Sequence, residues 1–230
     1  KALLMPSSFS SKGSIDDSLQ LATTLSVQQE TITIQPVYES FLSSLAPAFK
    51  EMPFNLTEEN LQARIRGTLL MAQSNKLGAI LLNTSNKSEL AVGYGTLYGD
   101  MCGGLSVIGD VYKTDVYGLA SWINREKEII PNAIITKAPS AELRHDQKDT
   151  DSLPEYDQLD PLLYQFVEKR KSIEELIDAG FEAKMVKRIV RLVNANEFKR
   201  HQAPPILRIS PKAFGHGRRI PIVAGYLSRL

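Results

Sequence analysis

The feature that most constrains this chain is an alternation of short apolar segments with helical ones. Segments 2–5, 31–34 and 79–82 read as strands. The first is a brief apolar run ending at Pro6, the second alternates with β-branched residues, and the third is apolar throughout. Between them, 16–25, 37–45 and 57–77 read as helices. Strands separated by helices predict an α/β fold with a doubly wound parallel sheet. The third segment, apolar on both faces, suits a strand covered on both sides.

Helix 57–77 is the clearest. Thr57 can cap it, Glu58 and Glu59 suit its positive end, and Leu61, Ile65, Leu69 and Ala72 give a buried stripe. Asn60, Arg64 and Thr68 lie on a different stripe. In the first helix Asp16 and Asp17 are expected near the positive end, and the second is expected to stop before Pro47. Five glycines between Gly93 and Gly104 mark a loop. A helix over 114–124, a short strand over 133–136 and a mobile polar loop over 143–153 follow; Asp146, Asp149 and Asp151 lie in that loop. Three further helices are expected over 155–168, 173–179 and 182–198. Ser172 and Glu175 form a capping box for the second, and Gly180 suits its end.

With 43% hydrophobic and 23% charged residues, the chain is not disordered in bulk. No apolar run approaches the roughly 20 residues of a membrane span. A single cysteine, Cys102, cannot form an internal disulfide, which points to a reducing, cytoplasmic compartment. Charge is balanced overall, at 27 Lys+Arg to 26 Asp+Glu, yet residues 169–230 hold 14 against 5. A basic segment suggests an anionic partner, either nucleic acid or a phosphorylated small molecule. Aromatics are not interleaved with these charges, which argues against a nucleic-acid platform.

In open parallel sheets, ligands bind beyond the carboxyl ends of the strands. Loops 6–14 and 83–89 meet that condition. Thr84 offers a hydroxyl at a strand tip, and Glu89 offers a carboxylate in the first turns of a short helix. A carboxylate there could hold Mg²⁺ against phosphate oxygens; on these residues alone, a capped helix with a solvated Glu is the simpler reading. Gly93, Gly95 and Gly99 miss the G-x-G-x-x-G spacing by one residue and follow a helix, so close backbone approach explains them better. His145, His201 and His216 lack ligand spacing, and Cys102, with no histidine near it in sequence, reads as a packed thiol.

Several stretches are specific when taken in order. They are Thr57-Glu-Glu-Asn-Leu-Gln-Ala-Arg-Ile-Arg-Gly67, Asn86-Lys-Ser-Glu-Leu-Ala-Val-Gly-Tyr94, Thr96-Leu-Tyr-Gly-Asp-Met101 and Asp110-Val-Tyr-Lys113. Pro139-Ser-Ala-Glu-Leu-Arg144, Asp151-Ser-Leu-Pro154 and Glu197-Phe-Lys-Arg-His-Gln-Ala-Pro204 complete the series. Over residues 1–219 the chain resembles the synthetase domain of NAD synthetases, the glutamine-dependent kind in particular. The resemblance implies one domain over 1–230 with the Rossmann-like adenine nucleotide alpha hydrolase (N-type ATP pyrophosphatase) fold and C-terminal helices. It implies a ligase that uses ATP and Mg²⁺ to adenylate deamido-NAD, releases pyrophosphate, and forms NAD with ammonia supplied by glutamine hydrolysis in an upstream glutaminase domain. A homodimer is also implied.

By the same resemblance, Thr84, Lys113 and Ser140 contact ATP, Glu89 binds Mg²⁺, and Lys113 and Glu89 carry the chemistry. Asn60, Arg64, Asp100 and Lys199 match positions that contact deamido-NAD. Leu97 and Phe198 stand where the ammonia-dependent branch has Lys and His, and Gly104 where it has Asp, so those contacts are not carried over. The family's Ser-Gly-Gly-x-Asp-Ser loop precedes the point where this sequence begins. In the implied 3-2-1-4-5 strand order the strand before that loop is central, so this sequence is expected to be part of a longer chain. Another amidating ligase of the same fold, and a non-catalytic module retaining it, are the alternatives.

Overall fold

The computed structural model describes residues 1–223; residues 224–230, the end of the domain expected over 1–230, lie outside the described residues. β1 (Ala2–Leu4) leads into α1 (Lys12–Thr24). This helix starts a turn earlier than expected, because the Ser11 hydroxyl accepts from the Ser14 N–H at 3.1 Å and caps it; Asp16 and Asp17 therefore fall beyond its first turn. β2 (Gln29–Thr31) pairs parallel with β1, Leu3 opposite Glu30. The strand expected over 31–34 thus ends at Thr31, and Ile34 is fully buried at the start of α2 (Gln35–Phe49). That helix runs through Pro47, which lies in its last turn on an exposed face and removes one hydrogen bond, to the carbonyl of the likewise exposed Ser43.

α3 (Leu56–Leu77) is capped by Asn55 rather than Thr57: the Thr57 N–H donates to Asn55 Oδ1 at 2.8 Å, and the Asn55 N–H donates to Glu58 at 2.8 Å. It buries Gln62, Ala63 and Ile65, while Ala72 of the expected stripe is exposed. β3 (Leu82–Asn83), α4 (Lys87–Val92) and β4 (Leu105–Ser106) form a second parallel unit. Among the described residues the strands make two separate parallel pairs rather than one continuous sheet. Segment 79–82 is accordingly not a buried strand. β3 has a ladder partner on one edge, and Ile80 and Leu82 are 64% and 51% exposed.

α5 (Lys113–Ile123) follows the second pair. The strand expected over 133–136 is instead α6 (Asn132–Thr136). Its cause is local: the Asn124 carbonyl oxygen of the side chain accepts from the Ile129 and Ile130 N–H groups, and the Pro131 carbonyl accepts from the Ile134 N–H at 2.9 Å. A 3₁₀ turn covers Asp149–Asp151. α7 (Tyr156–Leu163) widens into a π turn over Tyr164–Glu168. α8 (Ile173–Asp178) carries the expected Ser172–Glu175 capping box. The single helix expected over 182–198 is broken into α9 (Ala183–Ala195) and α10 (Glu197–Arg200). Asn196 makes the break, its amide donating to the Val92 and Leu192 carbonyls at 3.0 and 2.9 Å.

The larger core packs α4, α7, α8 and α9 together, with Leu159, Leu162, Leu163, Leu176, Val186, Ile189 and Val193 fully buried. A smaller one joins Ile34, Tyr38 and Ile65. The larger core thus fixes α4, the short helix on which the candidate site is built. Among the described residues no helix is long and apolar enough to cross a membrane.

Candidate active site

Thr84 directly follows β3 and is exposed at its carboxyl end. Asn83, which is buried, folds the loop around it. Its amide donates to the Asp100 and Cys102 carbonyls at 2.7 and 3.2 Å, and its oxygen accepts from the Ser85 N–H and the Ser106 hydroxyl. Asn86 then caps α4: the Glu89 N–H donates to Asn86 Oδ1 at 3.0 Å, and the Asn86 N–H donates to Glu89 Oε2 at 3.1 Å. The second oxygen of Glu89 faces the Lys113 ammonium at 3.5 Å. That ammonium also lies 5.5 Å from the Tyr156 ring centroid and 5.8 Å from that of Tyr117. Glu89 is therefore both a capping residue of α4 and the ionic partner of the lysine that opens α5.

Burial pushes the Glu89 carboxyl above its ordinary value, against the pull of Lys113 and of the Asn86 hydrogen bonds. Lys113→Met removes that opposing charge, so Glu89 is expected to titrate at still higher pH than in the unmodified protein. Carboxyl ¹³C NMR on glutamate-labelled protein checks this; a midpoint that stays put or falls would show the two groups uncoupled. As a candidate metal ligand Glu89 has no carboxylate cluster beside it: among the described residues no group of three or more His, Cys, Asp or Glu is placed to hold a metal. Mg²⁺ commonly takes one or two carboxylates and completes its shell with water and substrate phosphates. A single half-buried carboxylate beside a hydroxyl-bearing strand tip fits that use.

Asn60, Arg64, Asp100 and Lys199 meet around the glycine-rich loop between α4 and β4. Thr96 donates its hydroxyl to Asn60 Oδ1 at 2.7 Å and its N–H to Asp100 Oδ1 at 2.8 Å. Arg64 Nε donates to the Leu97 carbonyl at 3.2 Å, so Asn60 and Arg64 do share a face of α3. Lys199 Nζ donates to the Gly93 and Gly95 carbonyls at 2.7 and 2.8 Å. The glycines permit this closeness: a Cβ at Gly67 would sit 2.8 Å from the Tyr98 carbonyl oxygen, and one at Gly99 2.9 Å from the Ala63 carbonyl carbon. Burial pushes Asp100 up and Lys199 down, and the opposite charge of each offsets part of the other's shift. Glu89 and Gly93 lie at the two ends of α4, about 6 Å of helical rise apart. One short helix thus joins the Glu89–Lys113 pair to the four-residue cluster.

Ser140 is placed differently. Its hydroxyl accepts from the Glu142 N–H at 3.1 Å, and Glu142 in turn accepts from Ser11 and Ser14 beside α1. Among the described residues no hydrogen bond links Ser140 to Thr84, Glu89 or Lys113; its neighbour Pro139 accepts from the Asp149 N–H at 3.0 Å.

Two buried aspartates organise the site without having been expected there. Asp149, assigned from sequence to a mobile loop, is 4% exposed and accepts hydrogen bonds from the Tyr94 and Tyr156 hydroxyls at 3.0 and 2.9 Å. Burial and the Asp149 charge push both phenols above their usual range. Asp160 of α7 locks the first turns of α4 and α5 together. It accepts from the Ser88 hydroxyl at 2.5 Å and from the Thr114 N–H and hydroxyl at 2.8 and 2.9 Å, while the Lys113 N–H donates to Ser88 Oγ at 2.9 Å.

Residues 1–203 match the family described as NAD synthase. The chain belongs to the NAD synthase family. It is 54% identical over 224 residues to a glutamine-dependent NAD(+) synthetase of Synechocystis, covering 97% of this chain and 40% of that protein. Among solved structures, a glutamine-dependent NAD+ synthetase from Acinetobacter baumannii in complex with ADP is 43% identical, with a TM-score of 0.59 over 98% of this chain and 41% of that one. An NMN synthetase from Francisella tularensis is 28% identical, with a TM-score of 0.70 over 91% of this chain and 77% of that one. The chain therefore spans about 40% of the length of the curated relatives it matches. Its α/β architecture, with parallel strands and flanking helices, is the Rossmann-like ATP pyrophosphatase fold of NAD synthases.

Proposed function

We propose that this NAD synthase chain forms the synthetase site of a glutamine-dependent enzyme that converts deamido-NAD to NAD. The observation that carries the proposal is the placement of a Glu89–Lys113 pair and of Asn60, Arg64, Asp100 and Lys199 at the two ends of α4. A carboxylate is a poor electrophile until one of its oxygens joins a good leaving group. In the proposed sequence a nicotinate carboxylate oxygen attacks the α-phosphorus of ATP and pyrophosphate departs. Ammonia then attacks the carbonyl carbon, and AMP leaves with that oxygen. Lys113, held at the start of α5 by the Ser88–Asp160 network, neutralises charge on the ATP phosphates. Thr84 and Ser140 offer hydroxyls to ATP. Glu89 would hold Mg²⁺, which when bound offsets phosphate charge. Asn60, Arg64, Asp100 and Lys199 bind and orient deamido-NAD. Their own contacts pre-set these side chains, which reduces the ordering that binding requires.

Ammonia is proposed to come from glutamine hydrolysis in a glutaminase domain of the longer protein, and the active form to be a homodimer. A cytoplasmic setting accords with a lone thiol, Cys102, that burial holds above its ordinary titration range. The test supplies the full-length protein with ATP, Mg²⁺, ammonia and either deamido-NAD or nicotinic acid mononucleotide. The expected products are NAD, AMP and pyrophosphate, with deamido-NAD favoured at least tenfold in kcat/KM. Preference for the mononucleotide, or ADP and phosphate as products, would overturn the assignment.

A further inference from the structure

A second concave site lies at the far end of α7. Of the eight residues that line a cavity of about 330 Å³, five are cationic: Arg170, Lys171, Lys212, Arg218 and Arg219; Phe166 and Val167 add an apolar wall. Two chain segments that are distant in sequence build it: the π turn with the residues just after it, and the tail between Lys212 and Arg219. None of the five cations takes part in a salt bridge among the described residues. The Arg218 guanidinium lies 4.9 Å from the Phe166 ring centroid, and its Nε is buried with no hydrogen-bond acceptor. Burial first, and then the nearby Arg200 and Arg170 charges, push it down to about 10.

Five like charges around one small concavity repel one another, and a buried N–H without an acceptor costs the desolvation of that group. Both costs are removed by one thing, an anion carrying several acceptor oxygens. Arginine forks suit phosphate geometry, and a volume of about 330 Å³ matches a small polyanion rather than a whole dinucleotide. The site is also separate from the one described above. Tyr156, which stacks on Lys113, and Val167, which lines this cavity, are eleven helical residues apart, or about 17 Å at 1.5 Å per residue. We propose that this cavity binds a small polyphosphate-class anion, gripped by Arg170 and Arg218 and surrounded by Lys171, Lys212 and Arg219.

Isothermal titration of the full-length protein with inorganic pyrophosphate, at low salt and without divalent cations, tests it. The expected result is two classes of site, one beside Lys113 and one here. Arg170→Gln with Arg218→Gln should remove one class or weaken it at least tenfold. Lys171→Gln with Arg219→Gln, which leaves Arg170 and Arg218 in place, should weaken the same class severalfold and flatten its salt dependence. Lys113→Met should remove the other class and leave this one. The proposal is overturned if unmodified protein shows one class that Lys113→Met abolishes, or if two classes persist unchanged in the Lys171/Arg219 variant. An acidic protein segment occupying the cavity would produce the first of these results.

Discussion

Lys87→Met should destabilise the fold by about 3–5 kcal/mol, the range found when one partner is removed from a buried ion pair. Lys87 is fully buried at the first position of α4. Its ammonium lies 2.8 Å from Asp110, 2.9 Å from Glu168 and 2.8 Å from the Ser210 hydroxyl, with the Tyr112 ring centroid 4.9 Å away. Asp110 in turn accepts from the Ile209 and Ser210 N–H groups at 2.8 and 2.6 Å. One lysine therefore ties α4 to the loop before α5, to the π turn and to the tail. Methionine matches its length but leaves two buried carboxylates facing each other. The expected result is a fall in denaturation midpoint without a change of slope. Adding Asp110→Asn should recover part of the loss, because one of the uncompensated charges is gone. A loss below about 1 kcal/mol would mean that the cluster is solvated. The pH dependence has a definite sign. Burial alone would raise Asp110, but the hydrogen bonds from Lys87 and Ser210 hold it below its ordinary value. Its stabilisation is therefore full above the unfolded carboxylate value and is lost as pH falls through the lower folded one.

Glu89→Gln should cut turnover by about a hundredfold or more while leaving the fold intact. Glutamine at this position of a capping box can still accept from the Asn86 N–H, so α4 keeps its start. What disappears is the negative charge facing Lys113 and, in the proposed mechanism, the magnesium ligand. Steady-state assays of the full-length protein should show the loss mainly in kcat, with little change in melting temperature. A decrease of less than about threefold would remove Glu89 from the chemistry.

Much of the site was legible because its residues are close in sequence. Asn60 and Arg64 are one turn apart, Thr84 falls at a strand tip, and Glu89 falls in the first turn of a short helix; periodicity and helix-start patterns reach that far. Lys87, Asp149 and Asp160 were not legible. Each works through a partner 55 to 123 residues away, and no local pattern marks a polar side chain whose partner lies that far off. Asp149 was assigned to a mobile loop because aspartate usually means solvent, whereas two tyrosine hydroxyls compensate its burial. The helix end at Asn196 was missed for the same reason, since its deciding contact is the distant Val92 carbonyl. Strand 79–82 was misread as buried because an apolar run reports what a sheet could cover, and β3 is paired on one edge among the described residues.

The proposal that Glu89, Lys113 and the Asn60–Lys199 cluster serve one adenylation site is tested most directly by following oxygen. Deamido-NAD labelled with ¹⁸O in its nicotinate carboxylate should be turned over by the full-length protein with ATP and ammonia, and the products analysed by mass spectrometry. One ¹⁸O should be found in AMP and none in pyrophosphate. Unlabelled AMP, or label in inorganic phosphate beside ADP, would contradict it.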